Sequence, residues 1–379
     1  MKWRWLRYFL AFLVPLGTLS GLIGGGWLVS IPLVFAFAVV PLLEIWMKPD
    51  SSNLNKAEVE WSRSDRMYDL LLYLLLPLQY LVLFLFLGRV NDHSLSSAEL
   101  SGMVLSMGLL CGVIGINVGH ELGHRPGIFE KSLAQSFLLS SLYLHFYIEH
   151  NRGHHHRVGT PADPASARYG ESLYAFWFRS IMGSYRSAWE LERNRLRKSG
   201  KPFFSFYNQM LVFQLVQILF LTSIFLYFGW LSMALFLVAA LTGILLLESV
   251  NYIEHYGLGR RKKSDGTYEK ARHCHSWNSD HVLGRLLLFE LSRHSDHHYK
   301  ASKKYQLLEH LDDSPQMPTS RYSGHNHEAL EHLDDSPQMP TGYPGMIMLA
   351  LIPPLWFAQI HPILNREQKR LPAIELARY

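Results

Sequence analysis

Four short segments of the chain concentrate imidazole side chains. HELGH carries His120 and His124, HNRGHHH carries His150, His154, His155 and His156, HYG carries His255, and HSDHH carries His294, His297 and His298. Imidazole suits iron, zinc, copper and nickel, so these segments point to metal chemistry before they point to any one metal. Residues four apart lie on one face of a helix, which puts His120 and His124 within reach of a single ion. The supply exceeds the need of one catalytic ion, which takes three protein ligands and keeps one position open. It suits two ions with several nitrogen donors each. So many neutral imidazoles beside apolar helices are costly without partners, and packing alone is a poor reason for three such boxes. Isolated histidines such as His93, His145 and His361 carry no such weight and are expected to be interfacial or solvated.

HELGH also fits HExxH, in which two histidines hold zinc and the glutamate is the base of a protease. The further histidines count against an intramembrane zinc protease, which stays a remote alternative, as does a non-catalytic metal- or haem-handling protein. Only two cysteines occur, Cys111 and Cys274, far apart. Without a CxxC pair, a structural zinc site or a built-in rubredoxin-type iron centre is excluded. The net charge of +5 does not suggest nucleic acid.

The elements that must position these boxes are apolar. Charged residues make up 18% of the chain, below the roughly 25% usual for soluble domains. Stretches 9–29, 31–46, 68–87, 100–119, 210–230 and 231–250 read as six membrane-spanning helices arranged as three hairpins. Lysine and arginine concentrate before the first, between the second and third, after the fourth and after the sixth, which puts both termini and every long polar segment in the cytoplasm. The apolar stretch 134–148 lies between two boxes. A full crossing there would place them about 30 Å apart, so it is expected to dip in or pack without crossing. Stretch 345–360 is broken by Pro353 and Pro354 and is expected to be interfacial or buried. The fold class is therefore an all-α membrane protein, six transmembrane helices with a cytoplasmic histidine-rich cap. Residues 1–379 form a single integral membrane domain with cytoplasmic catalytic segments 120–208 and 251–345. Within 308–341 the string LEHLDDSPQMPT occurs twice, a local duplication expected in a tolerant surface loop.

The boxes, their order and the spans around them resemble the membrane-bound alkane hydroxylases (the alkane 1-monooxygenase family, related to xylene monooxygenase and more distantly to fatty-acid desaturases). The resemblance covers nearly the whole chain. It is carried by NVGHELGH at 117–124, EHNRGHH at 149–155, TPADPASAR at 160–168, NYIEHYGL at 251–258, HSWNSDH at 275–281 and RHSDHH at 293–298. It implies a non-haem diiron enzyme that uses O₂ to convert the terminal methyl of an alkane to a primary alcohol. Electrons would come from rubredoxin, with an NADH-dependent rubredoxin reductase upstream. The location implied is the bacterial cytoplasmic (inner) membrane. A fatty-acyl desaturase or lipid hydroxylase is the alternative.

Carried over by position, the iron ligands would be His120, His124, His150, His154, His155, His255, His294, His297 and His298. His156 is not required by the family pattern, and His273, His275 and His281 are second choices. The chain departs from the family at the duplicated loop, where deletion of 320–341 would join PQMPT directly to GYPG. Metal-bound imidazoles usually give their other N–H to a carboxylate or carbonyl, and Glu121, Glu149, Glu254, Asp163 and Asp296 are placed for that role. Glu44 and Glu254 lie in apolar stretches, where a charge is expensive unless it is used. Phe35, Phe37, Leu110 and Ile114 are candidate lining for an alkane slot, or ordinary bundle packing. Arg152, Arg260, Arg261, Lys262, Lys263, Lys303 and Lys304 either steer an acidic electron donor or simply satisfy the positive-inside bias.

Overall fold

The computed structural model describes residues 3–311, 342–370 and 374–378. Among the described residues, five helices are long and apolar enough to cross a membrane, and the chain is an integral membrane protein. These are α1 (Arg4–Gly24), α2 (Gly26–Trp46), α3 (Met67–Arg89), α4 (Ser97–Gly123) and, after shorter elements, Gln209–His255. The last is broken at Gly229, whose φ of 83° ends one apolar run before the next begins. The chain divides into two compact units. One holds Met1–Val34, Ser64–His156 and Ile181–Glu248, and the other Phe35–Arg63, Arg157–Ser180 and Ser249–Tyr379.

In the first unit, small residues and satisfied polar groups set the helix packing. Gly25, at φ 63°, makes the tight turn between α1 and α2. Ser96 and Glu99 form a reciprocal capping box at the start of α4, and the other Glu99 oxygen accepts the Gly26 N–H at 2.7 Å. Gly108, Gly112 and Gly243 let α4 lie against the helix that follows Gly229. A Cβ at Gly243 would come within 2.6 Å of the Cys111 side chain, and one at Gly108 within 2.6 Å of Thr242. Apolar helices carrying polar side chains must pair them internally. Gln79 accordingly donates to Ser140 at 3.1 Å, Tyr80 to the Ser136 carbonyl at 2.8 Å, and Ser141 to the Cys111 carbonyl at 3.1 Å.

The stretch 134–148 does not form one helix. Helix α5 (Ile128–Leu139) has 12 residues and stops; Leu142 sits at φ 54°, and a short helix restarts at Phe146–Glu149. Twelve residues rise about 18 Å, too little for a crossing of about 30 Å.

The second unit has an aromatic core. Phe176, Tyr252, Tyr256, Trp277, Tyr343 and Trp356 are buried together with aliphatic side chains. Stretch 345–360 resolves into two helices, Tyr343–Ala350 and Pro353–Arg370, each started by proline where a helix needs no donor. Leu258–Gly259 pairs antiparallel with Glu375–Leu376, a two-residue ladder absent from the all-α expectation. The duplicated loop lies outside the described residues from 312 to 341.

Glu44, in α2, is fully buried in this unit. Its carboxylate accepts the Gly284 N–H at 2.7 Å and the Gly342 N–H at 2.9 Å, near the starts of helices Val282–Leu287 and Tyr343–Ala350. The charge is thus spent on helix N-termini, where it is favourable. Glu44→Ala removes both acceptors and leaves two buried donors, so it should lower stability by about 2–5 kcal/mol, with Glu44→Gln milder because one acceptor survives. Thermal unfolding of the detergent-solubilised protein measures this, and an unchanged melting temperature in the alanine variant would contradict the assignment.

Candidate metal centre

Within the first unit, two helical pieces deliver four imidazoles to one point. His120 and His124 sit one turn apart near the end of α4. The chain at His150–His154 is a π-helical turn that follows Phe146–Glu149. Five residues, not four, bring one side chain over the next in such a turn, and that aligns His150 with His155. Their Nε2 atoms are 2.9 Å apart, and each faces His124 Nε2, at 3.2 and 3.3 Å. The His120 and His150 rings are 4.4 Å apart at their centroids. His154 is buried beside His150, stacked at 5.2 Å, whereas His156 is exposed. His150 is held neutral: burial pushes its pKa well below the ordinary histidine value, and neighbouring imidazoles push the same way.

The second unit makes a similar convergence from different parts. His255 closes the long apolar helix, and His294 and His298 lie one turn apart on the helix His294–Tyr299. His294 Nε2 is 3.2 Å from His255 Nε2 and 2.9 Å from His298 Nε2. His297 is buried next to His294, stacked at 5.6 Å. All of these are at most 9% exposed.

These separations carry chemical information. Two nitrogens bound to one ion at about 2.0–2.1 Å, with angles between octahedral and tetrahedral, lie about 2.8–3.4 Å apart. The Nε2···Nε2 distances in both units fall in that range. Neutral imidazoles pointed at each other in threes cannot all be satisfied by hydrogen bonds among themselves, since each has one N–H to give. The donor set therefore fits a metal ion in each unit.

The carboxylates divide into different jobs. Glu254 Oε2 is 3.2 Å from His294 Nε2, on the side of the ring where the imidazoles converge. Glu121 is gripped by the Arg125 guanidinium at 2.6 and 3.2 Å, and Asp69 takes a third N–H at 3.0 Å. Glu149 accepts from the Ser187 hydroxyl at 3.3 Å. Asp163 accepts from the Ser166 hydroxyl and the Ala165 N–H, and Asp296 from the Lys303 ammonium and the Glu309 N–H. His275 Nδ1 accepts the Arg272 N–H, His281 Nδ1 faces the Ser279 hydroxyl, and the His273 ring lies tilted against Tyr299 at 4.3 Å. Leu110 and Ile114 are fully buried beside and within a π-helical turn of α4, and Phe35 and Phe37 are half-buried in another in α2. Arg125, one residue past a candidate ligand, had no motif to mark it. An arginine four residues after Glu121 at a helix end was the available signal.

Apolar membrane helices whose polar ends bring imidazoles together define an integral membrane protein with histidine boxes able to hold a metal. Residues 98–329 match the family model described as Fatty acid desaturase. Alkane 1-monooxygenase 1 of Pseudomonas aeruginosa is 44% identical over 261 residues, 69% of this chain and 63% of that protein. Alkane 1-monooxygenase of Pseudomonas putida is 38% identical over 337 residues, covering 88% of this chain and 78% of that protein. The Xylene/toluene monooxygenase hydroxylase component XylM of Pseudomonas putida is 29% identical over 367 residues, 94% and 87% of the two chains. The chain spans less than two thirds of the first relative and more than three quarters of the second. It belongs to the fatty acid desaturase family and to the alkane 1-monooxygenases.

Arg125→Ala would leave the Glu121 and Asp69 carboxylates without their cation at a buried site. It should cost about 3–5 kcal/mol, the usual penalty for breaking a buried ion pair from one side. Arg125→Lys should recover only part, because a lysine cannot make the two-pronged contact. Melting temperatures of the two variants in detergent, compared with wild type, read this order directly.

Proposed function

We propose that the protein hydroxylates the terminal methyl of alkanes to primary alcohols at a two-iron centre held by histidines. The observation that carries the reading is the convergence of imidazole Nε2 atoms to about 3 Å in both units, in a chain of the alkane 1-monooxygenases. The nine ligands are His120, His124, His150, His154, His155, His255, His294, His297 and His298. Two irons, with O₂ as co-substrate, suit this number of neutral nitrogen donors.

Bound iron supplies the redox steps by which one atom of O₂ enters a C–H bond and the other leaves as water, using two electrons and two protons. The chain's own residues bind, orient and exclude. Seven of the nine ligand rings are buried and His124 and His155 are half-buried, which limits access of bulk water to the reacting carbon. Glu254 adds an anionic oxygen to a set of neutral donors and holds the His294 ring in position. Arg125, by fixing Glu121 and Asp69, anchors the end of α4 that presents His120 and His124. Leu110 and Ile114 in the first unit, and Phe35 and Phe37 in the second, are the apolar side chains assigned to contact with an alkane dissolved in the bilayer.

The six-span reading, with both termini and a histidine-rich cap on the cytoplasmic side of a bacterial inner membrane, follows from the break at Gly229 and the lysine and arginine bias. The whole chain, 1–379, then acts as one integral membrane domain. Electrons arrive from rubredoxin, itself reduced through an NADH-dependent reductase. Of the basic residues near the site, Arg152 is paired with Glu192 and Lys303 with Asp296 and Glu309. Exposed Arg261, Lys262 and Lys263 are the better docking charges for an acidic donor.

Purified protein is expected to hold about two irons per chain and to form primary alcohol from alkane with rubredoxin, its reductase, NADH and O₂. His124→Ala and His294→Ala should each insert normally, lose iron and lose turnover. Zinc in place of iron, full activity in either variant, or turnover of acyl chains instead of alkanes would overturn the assignment.

A further inference from the structure

The second unit contains a connected group of tyrosine and tryptophan rings that begins at the residue after His255. Tyr256 lies 5.1 Å from Tyr252 and 5.4 Å from Trp356, and Trp356 is 5.3 Å from Tyr252, all between ring centroids. Trp277 donates its indole N–H to the Tyr256 carbonyl at 3.0 Å. All four side chains are fully buried. Aliphatic residues would fill this space equally well, so filling a core does not require four oxidisable rings.

One contact gives the group a direction. The Tyr256 hydroxyl is 2.8 Å from His361 Nε2. The Gly170 N–H already points at the phenol oxygen, at 2.9 Å, so the phenol hydrogen has the imidazole as its acceptor. His361 is half-buried and stacks on Tyr169 at 4.1 Å, and the exposed Arg378 guanidinium lies over the Tyr169 ring at 5.0 Å. Burial, and then the Arg378 charge, lower the His361 pKa, so the imidazole is neutral and able to take a proton. The line therefore runs from a residue bonded to a candidate ligand, through a tyrosine–histidine pair, to the protein surface.

We propose that Tyr256 and His361 form an exit for oxidising equivalents that are generated at the metal centre but not spent on substrate. The proposal rests on the metal-dependent oxidation inferred above. In the step, Tyr256 gives one electron to the centre and its phenolic proton to His361 Nε2, leaving a neutral phenoxyl radical and an imidazolium. Tyr252, Trp356 and Tyr169 share the radical over neighbouring rings. One electron from the donor that normally reduces the centre, with the proton returning from His361, restores the phenol. The net result is reduction of the idle oxidant without damage to His255 or His294.

The test uses reduced, iron-loaded protein mixed with O₂ and frozen, with and without alkane, for wild type, Tyr256→Phe and His361→Phe. Iron content and circular dichroism of each variant verify folding. Without alkane, wild type should give a tyrosyl radical signal by electron paramagnetic resonance. Tyr256→Phe should lose that signal and instead accumulate oxidised histidine on the peptides carrying His255 and His294, read by mass spectrometry. His361→Phe should lower the signal by removing the proton acceptor. With alkane, alcohol should form and the wild-type signal should fall, because the oxidant is consumed. Alcohol formation with no tyrosyl radical in wild type, or a radical unchanged in Tyr256→Phe, would overturn the exit while leaving the hydroxylase reading intact. No alcohol from wild type would instead overturn the hydroxylase reading.

Discussion

Everything else in the fold answers to the mutual approach of imidazole nitrogens to about 3 Å at buried and half-buried positions. Lone pairs at that distance repel, and each ring has a single N–H to offer, so the arrangement is expensive without a cation at its focus. The backbone supplies the approach by two distinct devices. An α-helical turn stacks His294 over His298, four residues on. A π-helical turn stacks His150 over His155, five residues on. A slip of one residue in either would swing a ring away from its partners, so the widened turn is a requirement of the donor set and not a defect in the helix.

The surrounding medium imposes a second constraint. Apolar helices pair their polar side chains internally where they can, and several buried ones in the first unit are matched to neighbours. Gln79 meets Ser140, Tyr80 meets a carbonyl, and the Tyr143 hydroxyl donates to Glu248 at 2.8 Å. The first two pairs tie α3 to α5, and the third ties the segment after α5 to the long helix that follows Gly229. Close-packed glycines at 108, 112 and 243 do the same through van der Waals contact. Position at the metal centre is therefore inherited from contacts well away from it.

Much of this was legible in the residues themselves. The i, i+4 pairs and the apolar runs pointed to imidazoles that converge and to the membrane helices, and the need for one side of the membrane to hold all boxes led to the expectation that 134–148 does not cross. Other features left no local trace. Glu44 looked like a costly charge in an apolar stretch with no visible use, yet it caps two helix starts contributed by residues some 240 and 298 positions away in sequence. Glu121 looked like an imidazole partner, and the Arg125 that grips it differs from any surface arginine only in its burial. The π-helical turn at His150 was hidden because periodicity was read as 3.6 residues, and the HxxxHH spacing satisfies that reading superficially. His361 was set aside as a solvated side chain, since its Tyr256 partner lies 105 positions earlier. For Glu44 and His361 the missing information was long-range pairing, which spacing along the chain does not encode, whereas the Glu121–Arg125 pair and the π-helical turn are local and turn on burial and helix type.

The last step concerns what such a centre demands of its surroundings. A site able to break a terminal C–H bond can also oxidise the imidazoles that hold it, and burial, which protects the substrate reaction from water, traps any oxidant that finds no substrate. A dry site thus needs both walls and an outlet. Aliphatic side chains can make the walls. Only side chains that surrender an electron more readily than an imidazole can make the outlet, and phenols and indoles are the ones available. A buried phenol gives up its electron easily only if its proton has somewhere to go, because a protonated phenoxyl cation in an apolar core is prohibitively charged. The imidazole 2.8 Å from the Tyr256 hydroxyl removes that obstacle, and its half-buried position lets the resulting charge sit near solvent. The second unit thus pairs a ligand that belongs in the dark interior with a neighbouring ring whose partner reaches toward the surface.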